Sequence, residues 1–129
     1  MREEDRTTLV TLELEKAHKF LIQARDMVSQ SYWDIAANRY YYACFHAVTA
    51  LLIHDGIAVN SHKGLIAMFG LHYVRTGKMD STHGAFLSRM EQLRMKGDYN
   101  CIYSVSPEEI LTMEEPAILL IDQIDIMLR

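Results

Sequence analysis

Apolar positions along the chain recur with the period of a helix. From Thr8 to Gln30, Leu9, Leu12, Ala17, Phe20, Ala24 and Met27 line one face at spacings of three to five. Asp5 or Thr7 is placed to cap its start. Ser29-Gln30-Ser31 interrupts the pattern. A second helix is predicted from about Trp33 to His54, apolar nearly all round, and such a helix belongs between neighbours or against a second subunit. Asp55-Gly56 ends it, glycine supplying a left-handed cap. A third helix, capped by Asn60 or Ser61, carries Leu65, Ile66, Phe69 and Val74 on to Thr76, with Gly77 closing it. Gly64 and Gly70 inside it mark either a close backbone approach or a weak spot.

A fourth helix starts at Asp80, Ser81 or Thr82 and carries Phe86, Leu87, Met90 and Leu93. It is predicted to end near Arg94–Gly97, in a Schellman-type stop at Gly97. The last element opens on Ser106-Pro107-Glu108-Glu109, a capping box with proline at the first helical position. Pro116 kinks that element or delays its start. Strand-like alternation and internal repeats are absent from the sequence. The expected fold is all-α: an up-and-down helical bundle of four long helices plus a shorter fifth, one domain over 1–129.

Composition agrees and narrows the function. The chain has 129 residues, half of them hydrophobic and 23% charged, ordinary for a globular domain able to hold its own core. Cys44 and Cys101 make no disulfide framework and read as small hydrophobes. The chain opens Met-Arg-Glu-Glu-Asp-Arg, with no apolar leader, and no stretch suits a membrane span. The expectation is a reduced, cytoplasmic protein without a membrane partner. Net charge is −4 but unevenly placed: residues 62–96 carry +4, residues 97–129 carry −6. That balance argues against avid nonspecific nucleic-acid binding and leaves room for a local basic face.

Six histidines raise a metal hypothesis, and Glu15-x-x-His18 has the spacing used by carboxylate-bridged di-iron bundles. Those sites need the motif twice. Here it occurs once, so no metal and no cofactor is expected. Phosphate-binding glycine loops and nucleophile elbows are absent from the sequence. Tyr40, Tyr41 and Tyr42 are about 100° apart around a helix and cannot share one face. Two read as core and one as an interface residue, with base stacking as the sharper alternative. Arg94-Met95-Lys96-Gly97-Asp98-Tyr99-Asn100 reads first as dipole compensation at a helix end followed by turn residues.

Three segments resemble the prokaryotic HEPN-domain family. Ala37-Asn38-Arg39-Tyr40-Tyr41-Tyr42-Ala43-Cys44-Phe45-His46-Ala47 is similar to its second-helix signature. Ser61-His62-Lys63-Gly64-Leu65-Ile66 followed by Phe69 looks like its next helix, and Arg94 with Asp98-Tyr99 is similar to its Arg-x-x-x-Asp-Tyr element. The resemblance implies a small helical bundle, usually a homodimer. It implies that many relatives are ribonuclease toxins restrained by an antitoxin, commonly a minimal nucleotidyltransferase, while others bind nucleotides or serve as partner subunits. Active members carry an Arg followed four to six positions later by His, and a polar residue of the second helix often assists. Here the Arg maps to Arg94, Tyr99 stands where the His is expected, and no His follows His83.

The expected function is therefore a HEPN-type nucleotide- or RNA-binding and interaction module in a toxin–antitoxin-like or nucleotidyltransferase-associated system. An active metal-independent endoribonuclease and a purely structural partner subunit are the alternatives. Arg94, Lys96, His62, Lys63 and Asn38 are the candidate phosphate- or nucleotide-binding residues, and Arg94, Asp98 and Tyr99 the candidate catalytic ones. Arg39 and His46 mimic the Arg–His spacing on the second helix, but two full turns separate them and their surroundings already match the structural signature.

Overall fold

A computed structural model of the chain describes residues 1–99 and 104–129, the side chain of Tyr99 excepted. The described residues are helical with short connections and contain no strand. The helices are α1 (Glu3–Ser29), α2 (Trp33–His54), α3 (His62–Phe69), α4 (Ser81–Tyr99), α5 (Pro107–Leu111) and α6 (Glu114–Met127). The all-α bundle is as expected, with four long helices and the shorter α3. α5 is one additional turn.

α1 begins earlier than its apolar stripe, with Arg2 at the cap and no side chain bonded there. Neither Asp5 nor Thr7 caps it: the Thr7 hydroxyl donates to the Glu3 carbonyl at 3.0 Å, inside the helix. Glu3, Glu4 and Asp5 instead lay negative charge on the positive end of the helix dipole. α2 matches its predicted bounds and forms the centre of the bundle, packing on α1, α4, α6, α3 and α5. Ala17 and Ala24 of α1 and Ala36, Ala43, Ala47 and Ala50 of α2 are fully buried, so small side chains let the helices approach closely. Most of the apolar circumference of α2 is thus covered within the chain, with Ile35 left 47% exposed.

Ser61 caps α3, its hydroxyl accepting from the Gly64 amide at 2.9 Å. A side chain at Gly64 would meet that same hydroxyl, and Gly70 has open space around it, so neither glycine marks a close helix approach. At Gly70 the helix widens into one π turn, Gly70–Val74, where the Arg75 amide reaches the Gly70 carbonyl at 2.9 Å. That turn sets the Tyr73 hydroxyl onto the Asp55 carboxylate just past the end of α2. Gly56 and Gly77, both with φ above 70°, end their helices as expected. Asp80 accepts from the Thr82 amide at 2.9 Å at the start of α4.

Two further outcomes concern the C-terminal half. α4 does not stop at Gly97 but runs to Tyr99, so Asp98 and Tyr99 are helical and not turn residues. Ser106 and Glu109 form the reciprocal capping box of α5. The predicted last helix then breaks at Thr112-Met113, and Pro116 falls in the first turn of α6, where its missing N–H costs nothing. Asp34 of α2 holds the approach to α5, accepting from the Val105 amide at 2.7 Å and the Ser104 hydroxyl at 3.1 Å. Among the described residues no helix is long and apolar enough to cross a membrane. Asn100 and Cys101 lie outside the described residues.

Candidate functional site

The continuation of α4 past Gly97 builds the site. Glu91, Arg94 and Asp98 fall at i, i+3 and i+7, which places them on one helix face. Arg94 Nη2 donates to Glu91 Oε1 at 2.9 Å, and Nη1 donates to Asp98 Oδ2 at 3.2 Å. Only 7% of the Arg94 side chain is exposed, against 12% for Glu91 and 32% for Asp98. The guanidinium lies over the Tyr41 ring at 5.0 Å and the Tyr42 ring at 5.8 Å. Arginine suits this position because its planar fork binds carboxylates while its face stacks on aromatic rings.

His62, the first residue of α3, enters the same cluster. Its Nδ1 lies 2.7 Å from the Tyr41 hydroxyl and 3.9 Å from Glu91 Oε2. Its ring stacks on Phe45 at 4.6 Å and stands edge-on to Tyr42 at 5.9 Å. Burial pushes the Tyr41 phenol well above its ordinary pKa, and Glu91 pushes it further, so Tyr41 stays a neutral hydroxyl. The imidazole is thus fixed by rings from one helix and hydrogen-bonded along its Nδ1 edge. More than a third of its side chain, 37%, remains accessible. Sequence spacing alone hid this meeting, since 32 positions separate His62 from Arg94 in the chain.

The remaining candidates are distributed around this cluster. Asn38 accepts from Arg39 Nη1 at 2.6 Å and, with Asp34, Ile35, Arg39 and Asp98, lines a groove of about 300 Å³. Asn38 and Asp98 therefore border one groove. Lys63 and Lys96 are exposed. Lys63 neighbours His62, and Lys96 lies two residues beyond Arg94, on another face of α4. Tyr99 is the last residue of α4, and its side chain lies outside the described residues. Arg39 packs over Phe20 at 5.2 Å, and His46 is held by Glu13 at 2.6 Å. This second Arg–His pair is anchored to α1. Of the three tyrosines, Tyr40 and Tyr41 are buried and Tyr42 is half-buried, as their spacing required.

Glu91 was not singled out by sequence reasoning. Its signal was the Glu-x-x-Arg-x-x-x-Asp spacing, which is legible only once Gly97 is read as helical. The His18 of the lone Glu-x-x-His motif bonds Asp125 across to α6 at 2.9 Å. No cluster of His, Cys, Asp or Glu among the described residues could hold a metal ion.

A central aromatic helix, a histidine at the start of the next and an arginine–carboxylate face on the fourth define a compact bundle with one polar cluster at its heart. The family model described as the HEPN domain matches residues 10–123, and the chain belongs to that family. A UPF0332 protein of Thermotoga maritima is 34% identical over 95 residues, covering 74% of this chain and 72% of its own. Two proteins of Methanocaldococcus jannaschii named as candidate toxins are also similar. One is 28% identical over 96 residues, covering 74% of this chain and 65% of its own; the other is 34% identical over 86 residues, covering 67% and 64%. The chain thus spans about two-thirds of the length of these relatives. It is a HEPN-type module.

Proposed function

We propose that the chain binds a phosphodiester of RNA or a nucleotide at the Arg94 cluster, acting as one half of a toxin–antitoxin-like pair. The observation that supports this is a buried, stacked guanidinium paired with Asp98, whose side chain is 32% exposed. In the cluster two carboxylates face one guanidinium, so an incoming phosphate takes the place of Asp98, while Glu91 keeps the fork oriented. Asn38 borders the adjoining groove, Lys63 and Lys96 supply the surrounding positive potential, and His62 lines the cluster. The natural partners in this reading are a second copy of the chain and a small nucleotidyltransferase or other antitoxin.

The test is fluorescence anisotropy with a labelled single-stranded RNA across a salt series. Arg94→Ala should weaken binding and flatten the salt dependence by about 0.7 in log–log slope, the share of one phosphate on a single strand. Binding that survives Arg94→Ala with its slope intact removes the assignment. Arg94→Lys serves as the folding control, since it keeps the charge and loses the fork.

A second reading, metal-independent RNA cleavage, is favoured by one contact: His62 sits in the Arg94 cluster with its Nδ1 edge on Tyr41. In the tautomer whose Nδ1–H donates to the Tyr41 oxygen, the other edge faces a substrate as a proton acceptor, the task the family assigns to the histidine replaced here by Tyr99. Inducing the chain alone in cells and sequencing RNA 5′ ends separates the readings. New ends that vanish in both Arg94→Ala and His62→Gln establish a nuclease. RNA left intact by a protein that binds it in solution leaves the binding module.

A further inference from the structure

A second cationic site lies at the opposite end of α2, away from the Arg94 cluster. A pocket of about 340 Å³ is enclosed by the start of α1, the last turns of α2 and the connection to α3. Its walls are mainly apolar: Leu52, Ile53, Ile57, Ala58 and Val59. Its polar side chains are those of Thr49 and of Arg6, the latter half-buried on the first turns of α1. The guanidinium lies against Gly56, where a Cβ would sit 3.8 Å from Nη1 and 3.9 Å from Nη2. Gly56, at φ +73°, thus leaves the backbone surface open to the arginine.

Among the described residues nothing accepts a hydrogen bond or forms an ion pair with this side chain, and its Nε is buried without a partner. The nearby helix end does not need it. The Leu51, Leu52 and Ile53 carbonyls already accept from the Asp55, Ile57 and Gly56 amides at 2.9–3.1 Å. Asp5, its neighbour in sequence, is turned to Arg2 at 3.5 Å. Thr49 is committed to the Phe45 carbonyl at 2.7 Å. A buried donor without an acceptor is costly and calls for an explanation. Two other arginines show what pairing is available on the bundle surface: Arg25 is paired with Glu114 at 2.8 Å, and Arg89 donates to Thr112 at 3.0 Å.

We propose that this pocket binds a small aliphatic carboxylate, its head forked on Arg6 and its tail laid along Leu52, Ile57 and Val59. The guanidinium matches a carboxylate with two parallel hydrogen bonds. The volume falls at the lower end of small-molecule sites, and apolar walls with a single charged anchor are their usual composition. The site is independent of the Arg94 reading, since it shares no residue with that cluster.

The experiment is a titration of the full chain with sodium octanoate, read by calorimetry and by methyl NMR signals. Octylamine carries the same tail with the opposite charge, and acetate the same head without the tail. Octanoate should bind, shifting the methyl signals of Ile53, Ile57 and Val59, while octylamine and acetate bind at least about tenfold more weakly. Arg6→Gln should weaken octanoate by about tenfold or more, the loss expected for a charge-assisted hydrogen-bond pair. Equal binding of octylamine, octanoate binding unchanged in Arg6→Gln, or shifts confined to methyls elsewhere on the bundle would each overturn the proposal. The methyl map is recorded on the unaltered protein, so the proposal is tested even if the variant fails to fold.

Discussion

Arg94, the centre of the proposed site, shows what a buried guanidinium requires. It is nearly buried, and burial of a guanidinium is tolerated only with its charge paired and its face packed. Glu91, itself 12% exposed, meets the structural requirement. Asp98, 32% exposed, is the partner that a phosphate replaces in the proposed reading. The two carboxylates therefore differ in consequence. Asp98→Asn should leave the melting temperature nearly unchanged and tighten RNA binding about two- to fivefold, because a partly exposed pair is worth up to about 1 kcal/mol. Glu91→Gln should lower stability by several times more than Asp98→Asn, since it leaves a nearly buried cation short of a counter-charge. Thermal melts and anisotropy on the same samples check both. Equal effects of the two substitutions on binding would show that Asp98 does not stand in the ligand's place.

At the scale of elements, the sequence was legible wherever a helix boundary is set by local chemistry. Trp33–His54, the Ser61 cap, the glycines at 56 and 77 and the Ser106 capping box all follow from neighbours within a few residues. The failures arise where side-chain pairing overrides the cap signal. Gly97 reads as a stop because glycine is a good C-cap, yet ion pairs across i+3 and i+4 from Arg94 line the face of α4 that crosses it. The π turn at Gly70 answers to Tyr73 reaching Asp55 and carries no local signature. His62 was named as a candidate, but only the packing of α3 on α2 shows that it belongs with Arg94.

The same packing fixes how α2 responds to alkali. Burial raises the Tyr40 phenol to about 12, and the Glu114 charge adds to the shift. Burial likewise raises Tyr41 and Tyr73, helped by Glu91 and Asp55 respectively. A phenol whose folded pKa lies above its unfolded value contributes stability that is complete below the unfolded value, near pH 10, and is lost as pH rises through the folded one. Helix content and phenolate absorbance at 295 nm should therefore hold up to about pH 10. Above it these three of the seven tyrosines should ionise only together with loss of helix. Phenolate absorbance from all seven before the helical signal falls would show that the aromatic cluster is looser than described.

At the scale of the molecule, the apolar surface left over bears on the second copy. α2 is covered by its own neighbours except at Ile35, 47% exposed, and the argument for a homodimer extends to the outside of the bundle. There Phe86 of α4, Leu111 of α5 and Pro116 and Leu119 of α6 line a groove of about 540 Å³. Leu111 is 71% exposed and Leu119 53% exposed. Large apolar side chains grouped in a groove mark an association surface more often than scattered ones do. A two-fold contact here would be self-complementary and would use α4, the helix that carries Arg94. Sedimentation at micromolar concentrations should show a dimer. Leu119→Asp should convert it to a monomer whose melting temperature falls only by the partner's mass-action share, because an already exposed leucine contributes little to the fold of one copy. A wild-type chain that sediments as a monomer at these concentrations would sink the homodimer. A dimer that persists in Leu119→Asp would instead move the contact to the groove between α1 and α6, where Ile22 is 61% exposed beside the His18–Asp125 bridge.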